Sequence, residues 1–283
     1  MKKGLLFGTS LLLGFAALAS CGNNGSSSDV VRIGLECAYV PFNWSVKEES
    51  SFTLPIQNHP GSFADGYDIQ VARSIGVELG KTVQIVQVPW EALITDLKMN
   101  SIDLIIAGMT DTEERRQQIS FTEEYYRSEL VLITKKDVAD ANPGTLNEEQ
   151  FGALVDGNNI VSQSATVTDD VIDIFAEEYG ARHVTPVSTF ALAAQDVRTG
   201  SAFAMTAELP VARSLTSQFS DLGVIHIDQA ILGESQAELG VSIGARKEDT
   251  ALVESVNKAL GKINAETRLS WMEAAITRSA GIE

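Results

Sequence analysis

The sequence predicts an α/β protein built as two lobes. Two observations carry this. From residue 30 onward, apolar runs and amphipathic runs alternate as strand, helix, strand, helix, strand, the order of a parallel sheet with crossover helices. After residue 134 the alternation starts afresh with its own strands and helices, and 283 residues are enough for two cores.

The N-terminus stands apart from that body. Lys2 and Lys3 precede an apolar stretch over 5–17 that is too short for a stable membrane span, so residues 1–20 read as a signal peptide. Leu18-Ala19-Ser20-Cys21 resembles the lipobox of bacterial lipoproteins. That resemblance implies cleavage before Cys21 and a diacylglyceryl group on its sulfur, and two acyl chains suffice for stable anchoring. Gly22 to Ser28 carries no apolar anchor, so residues 21–29 are expected to be the lipidated cysteine and a flexible tether. Losing Lys2 and Lys3 takes the net charge from −17 to −19, a balance that argues against nucleic acid as a partner. Cys37 is then the one cysteine besides Cys21, which leaves no intramolecular disulfide and suggests a small buried hydrophobe.

Taken in order, the first strand is expected over 30–35, ending at Glu36-Cys37-Ala38-Tyr39. The polar, Pro- and Gly-containing residues 45–65 read as a long loop. A helix follows over 66–79 with Gly80 as its C-cap, then a strand over 83–88, a helix over 90–98 and a strand over 102–107. Another strand is expected over 129–134. The second set comprises a helix over 147–154, a strand over 159–162, a helix over 169–179, a strand over 183–187, a helix over 189–199, a strand over 202–205 and a helix from Pro210. A strand over 239–245 and helices over 250–264 and 269–276 close the chain.

The segment Leu104-Ile105-Ile106-Ala107-Gly108-Met109-Thr110-Asp111-Thr112-Glu113-Glu114-Arg115 has the most chemical content. Its apolar residues suit a strand buried on both faces, and Thr110-x-x-Glu113 fits a capping box at a helix start. Unpaired N–H groups at a helix N-terminus, beside the fork of Arg115, suit a small anionic group such as a carboxylate.

These features, with others, carry a family resemblance. Tyr39-Val40-Pro41-Phe42, Gly66-Tyr67-Asp68-Ile69, Trp90-Glu91-Ala92-Leu93-Ile94, the Leu104–Arg115 segment continued by Phe121 to Tyr126, and Gly240 to Lys247 succeed one another as in the family 3 extracellular solute-binding proteins, the amino-acid receptors of ABC importers. The resemblance implies a two-lobed periplasmic-binding-protein-like fold of type II, with two crossover strands and the ligand cleft between the lobes. Lobe 1 would comprise residues 30–130 plus 241–283, and lobe 2 residues 131–240. By the same resemblance Arg115 and Thr110 would take a ligand carboxylate, and Gly108 would accept from its ammonium through the carbonyl. Gln163-Ser164-Ala165-Thr166 aligns with a Gln-Gly-Thr-Thr turn, so Thr166 would bring a hydroxyl near the carboxylate and Ser164 would join the lining, although Ser164 and Ala165 depart from the pattern. Glu208 stands where the family usually has an aspartate for the ammonium. Tyr39 and Trp90 would sandwich the side chain, with Trp44 near the same mouth. Glu36 stands where relatives for polar or basic amino acids place an acid, which disfavours acidic ligands by like-charge repulsion.

The expected function is therefore capture of a free amino acid, polar or basic, and its delivery to an ABC permease by a monomer anchored on the outer face of the cell membrane. A surface sensing lipoprotein and, less favoured, a dehydratase on the same fold are the alternatives. No catalytic residue, metal or cofactor is expected, since no HExxH, GxSxG or P-loop pattern occurs.

Overall fold

The computed structural model describes Met1 and residues 29–281, and of residues 234–238 the backbone alone. The signal peptide, Cys21 and most of the tether lie outside the described residues.

The β-branched run after Asp29 forms β1 (Val30–Leu35). A short antiparallel sheet comes next, built from β2 (Ala38–Tyr39), β3 (Asn43–Val46), β4 (Leu54–Pro55) and β5 (Phe63–Asp65), in the order β2-β3-β5-β4. Residues 45–65 are thus not simply a loop. The strands are two to four residues long and pair across the intervening turns, so no periodic run announces them. Next come α1 (Tyr67–Leu79), β6 (Thr82–Gln87), a 3₁₀ turn at Trp90–Ala92, α2 (Leu93–Lys98), β7 (Leu104–Ile105), α3 (Glu113–Gln118) and β8 (Ser120–Arg127). Gly80 ends α1 in the left-handed region as expected, its N–H reaching the carbonyls of Gly76 and Val77.

The second set is β9 (Leu130–Lys135), α4 (Lys136–Ala141), β10 (Thr145–Leu146), α5 (Glu148–Val155), β11 (Asn159–Val161), α6 (Val167–Tyr179), β12 (Arg182–His183), α7 (Phe190–Thr199), β13 (Ala204–Glu208), α8 (Leu209–Gln218) and β14 (Leu222–Ile227). A 3₁₀ stretch over Gln229–Glu238 leads to β15 (Gly240–Ala245), α9 (Thr250–Leu260) and α10 (Ala265–Ser279).

These elements make two lobes around two mixed sheets. The first sheet runs β6-β1-β7-β15-β8, parallel across β6, β1 and β7, with β15 antiparallel to both its neighbours. The second runs β10-β14-β9-β13-β11-β12, where β9 is antiparallel to β14 and β13. The chain crosses between the sheets at residues 128–129 and again at Leu239. Side chains alternate across a strand. In β9, Val131 and Ile133 accordingly join the core shared with the first lobe, while Leu130 and Leu132 join a separate core behind it with Phe151, Ile172 and Phe175.

Two local expectations are corrected. The strand over 102–107 shrinks to Leu104–Ile105, and at its start the Asp103 carboxylate takes the Arg32 N–H (2.9 Å) that a longer ladder would use. The helix after it is capped by Thr112, whose hydroxyl accepts from the Arg115 N–H (3.2 Å), not by Thr110. Thr110 instead bridges to Val241 of β15 and so belongs to the sheet edge. The elements β8, α4 and β14 are additions that the sequence pattern does not anticipate.

Candidate functional site

After β1 the chain turns through Cys37, a buried free thiol held at φ +55°, and this turn presents Glu36 and Tyr39. One buried acid braces the turn. Asp68, near the start of α1, accepts from the Asn43 amide (2.8 Å), and the Asn43 carbonyl oxygen accepts from the Cys37 N–H (2.8 Å). Asp68 also accepts from the Tyr125 hydroxyl (2.7 Å), which in turn accepts from the Gly108 N–H (2.8 Å). Burial pushes the Asp68 carboxyl up to about 8, and the two donors hold it lower than burial alone would. Gly108 sits at φ +62°, and a Cβ there would lie 2.5 Å from the Tyr39 ring, so only glycine fits.

The turn and Gly108 face a cavity of about 20 Å³ between the lobes. Glu36, Tyr39, Trp90, Gly108, Thr110 and Arg115 line it from one side, and Gln163, Thr166, Val167, Thr168, Phe190 and Glu208 from the other, with Leu239 at the crossover. The ligand-site residues read from the sequence converge there except Ser164 and Trp44. The sequence reading missed Val167, Thr168, Phe190 and Leu239, none of which stands in a charged motif, and it includes Gln163 only as part of a turn.

Arg115 lies over the Trp90 ring, 5.3 Å from its centre. Its guanidinium donates to the Thr110 carbonyl (2.8 Å) and, across the cleft, to the Ala165 carbonyl (2.9 Å). The Trp90 indole N–H donates to the same Ala165 oxygen (3.0 Å), with Ala165 at φ +59°. Ser164 sits at the rim, where its hydroxyl donates to Glu91 (2.5 Å) of the opposite lobe. The Thr166 hydroxyl is spent locally: it donates to the Gln163 carbonyl (2.7 Å) and caps α6 by accepting from the Asp169 N–H (3.2 Å).

The aromatic arrangement differs from a Tyr39–Trp90 sandwich. Tyr39 is stacked on both faces, by Phe42 (4.8 Å between ring centres) and by Phe190 from α7 (5.0 Å). Only Trp90 remains as the aromatic wall expected from the sequence, with Phe190 added by the other lobe. Trp44 is buried and lies under Arg278, away from the cavity lining.

Two acids face the cavity. Burial pushes the Glu36 carboxyl up to about 7, moderated by a hydrogen bond from Gln163. Burial also raises Glu208, against a hydrogen bond from the Tyr39 hydroxyl, and Glu208 Oε2 has no hydrogen-bond partner among the described residues. An unpaired buried carboxylate oxygen is costly, so this one is poised to accept from a donor placed in the cavity. No cluster of metal-ligating side chains occurs among the described residues.

Comparison with known proteins shows the family. The sequence profile of the bacterial extracellular solute-binding proteins, family 3, matches residues 31–274. The chain belongs to that family. This family 3 protein is 25% identical to the arginine-binding extracellular protein ArtP of Bacillus subtilis, over 92% of each chain. It is 27% identical to the lysine/arginine/ornithine-binding periplasmic protein of Escherichia coli, over 93% of this chain and 92% of that one. In fold it is similar to the amino acid ABC transporter substrate-binding protein AbpA of Streptococcus pneumoniae bound to L-arginine, with a TM-score of 0.72 at 18% identity, covering 90% of this chain and 97% of that one. Like the family, it is an extracellular or periplasmic binding protein and not an enzyme.

Proposed function

We propose that this family 3 protein captures a free amino acid with a cationic side chain in the cleft and delivers it to the permease of an ABC importer. The charge set of the cavity carries this reading: one guanidinium, Arg115, and two buried acids, Glu36 and Glu208, line it together. A zwitterion matches Arg115 and one acid, and a cationic side chain matches the other. The α-carboxylate docks on Arg115 beside Thr110, sharing the guanidinium with the Ala165 carbonyl. The ammonium lies at Glu208 Oε2 and the Gly108 carbonyl, and the side chain runs along Trp90 toward Glu36. The arginine- and lysine-binding relatives support the same ligand class. In this reading residues 30–130 with 241–283, and 131–240, are the two jaws of a monomer. Residues 1–20 are removed, and Cys21 carries the lipid that anchors the protein, through residues 22–29, to the outer face of the membrane. No cofactor takes part.

Calorimetric titration with L-arginine, L-lysine, L-histidine and L-glutamate tests the reading. The basic ligands are expected to bind and L-glutamate to fail. Arg115→Ala should weaken L-arginine by about thirty-fold or more, since removing one partner of a buried charge pair costs about 2–5 kcal/mol. Tight binding of L-glutamate, or undiminished affinity in Arg115→Ala, would overturn it.

A further inference from the structure

In the proposed function Glu36 reads the ligand side chain, and the role inferred here for Gln163 rests on that reading. A group that selects for a cation has to be ionised, and the surroundings of Glu36 oppose this. Glu36 is 7% exposed, and burial pushes its carboxyl to about 7. The charged and titratable groups around it are the Cys37 thiol beside it in the chain, the Tyr39 phenol, and the Glu208 carboxyl and Arg115 guanidinium lining the same cavity.

The donor to its carboxylate comes from the other lobe. Gln163 Nε2 donates to Glu36 Oε2 at 3.0 Å, and the same nitrogen donates to the Ser188 carbonyl at 3.0 Å. The second bond settles which way the amide points. Turned over, its oxygen would face a carbonyl and a carboxylate, two acceptors, so the NH₂ group must face Glu36. The residue is 1% exposed and its main chain is pinned: the Thr166 hydroxyl donates to its carbonyl (2.7 Å), and it bridges to Val187. A fixed donor favours the charged form of the acid it serves.

We propose that Gln163 is the positioning residue that keeps Glu36 ionised in the closed cleft, and so sets the preference for a cationic over a neutral side chain of the same shape. The acid stands on one lobe and its donor on the other. Selectivity is therefore completed only when the lobes meet.

L-Arginine and L-citrulline, matched in length but differing in charge, test this by calorimetry. The wild-type protein should prefer L-arginine. Gln163→Met keeps the length and removes the donor. At about pH 6.5 its arginine-to-citrulline affinity ratio should fall about tenfold, equivalent to a one-unit rise in the acid's pKa. The ratio should recover at about pH 8.5, where Glu36 ionises without help. Gln163→Asn, too short to reach both partners, should move the ratio the same way and covers a failure of Gln163→Met to fold. A merely structural defect weakens both ligands alike at both pH values, and that result would overturn the inference. A wild-type protein that binds neither ligand sinks the proposed function. A wild-type preference that survives unchanged in the variants sinks the role of Gln163 alone.

Discussion

The acids of this protein respond to burial according to the donors around them. Asp68 has two, from Asn43 and Tyr125, and through them holds the Glu36–Tyr39 turn and Gly108 at one time. Glu36 has a donor from across the cleft, and Glu208 keeps one oxygen open to the cavity. In the second lobe His183 bridges Asp173 (2.7 Å) and Asp169 (2.9 Å). Burial alone would push the imidazole down, but the two aspartates outweigh it and hold His183 above its ordinary value. The folded state therefore favours the protonated ring. Its contribution to stability is complete below about pH 6.5 and fades as pH rises through the folded value. The thermal midpoint, monitored by circular dichroism from about pH 6 to 9, should fall more steeply in the wild type than in His183→Gln. Parallel profiles would contradict this. The raised acids that do not touch His183 are present in both proteins and cancel in the comparison, whereas Asp169, raised by burial and held down by His183, changes with it.

At the scale of elements, the important piece is the six-residue helix α3. A helix this short does not hold itself together in water. It depends on its cap and its packing, and its cap, Thr112, binds the main-chain N–H of Arg115 itself. Thr112 does not line the cavity, yet it sets where the guanidinium stands. Thr112→Ala should cost about 1 kcal/mol of stability and weaken L-arginine severalfold by loosening Arg115, whereas Thr112→Ser should retain both. Equal affinities for all three proteins in calorimetry would show that the cap does not set the position of Arg115. The sheet edge makes a related point, since Thr110 bridges to Val241 and the Ser242 N–H reaches the Met109 carbonyl (2.8 Å). The returning strand thus fixes the other end of the same segment.

The whole molecule works by the meeting of its lobes. Ser164–Glu91, Trp90–Ala165, Arg115–Ala165 and Gln163–Glu36 hydrogen bonds cross the cleft, and the Tyr39–Phe190 stack crosses with them. A further interlobe contact joins α8 to α10 through Arg213–Glu273 and Ser214–Ser279. In this closed state the cavity of about 20 Å³ has room for little more than one water. In the proposed function an amino acid therefore enters when the lobes part, and they close again around it in a wider form favoured by contacts that both lobes make together. Ser164→Ala removes one clasp. At about 0.5–1.5 kcal/mol for a hydrogen bond, this favours the open form roughly two- to tenfold. Small-angle scattering of the ligand-free variant should give a larger radius of gyration than the wild type, with the difference removed by L-arginine. Identical scattering would mean that the rim contact contributes nothing to closure.

Local chemistry by itself determined a good deal of this protein. The alternation of β1 with its crossover helices, the Gly80 C-cap and the Asn147 start of α5 depend on neighbours within one turn, and the structure has them where the sequence put them. Residue types at motif positions also brought Glu36, Arg115 and Glu208 to one cavity, because family 3 architecture places strand ends there. The tertiary structure decided the rest. The short strands β2 to β5 exist only through pairing with one another, and Thr110 loses the cap to Thr112 because β15 claims it. Phe190, at the first turn of α7, takes one face of Tyr39 from the opposite lobe, far along the chain. Gln163 acquires its role only when Glu36 comes within 3.0 Å. Each of these depends on a contact between residues well separated in sequence, and no local period or cap records such a contact.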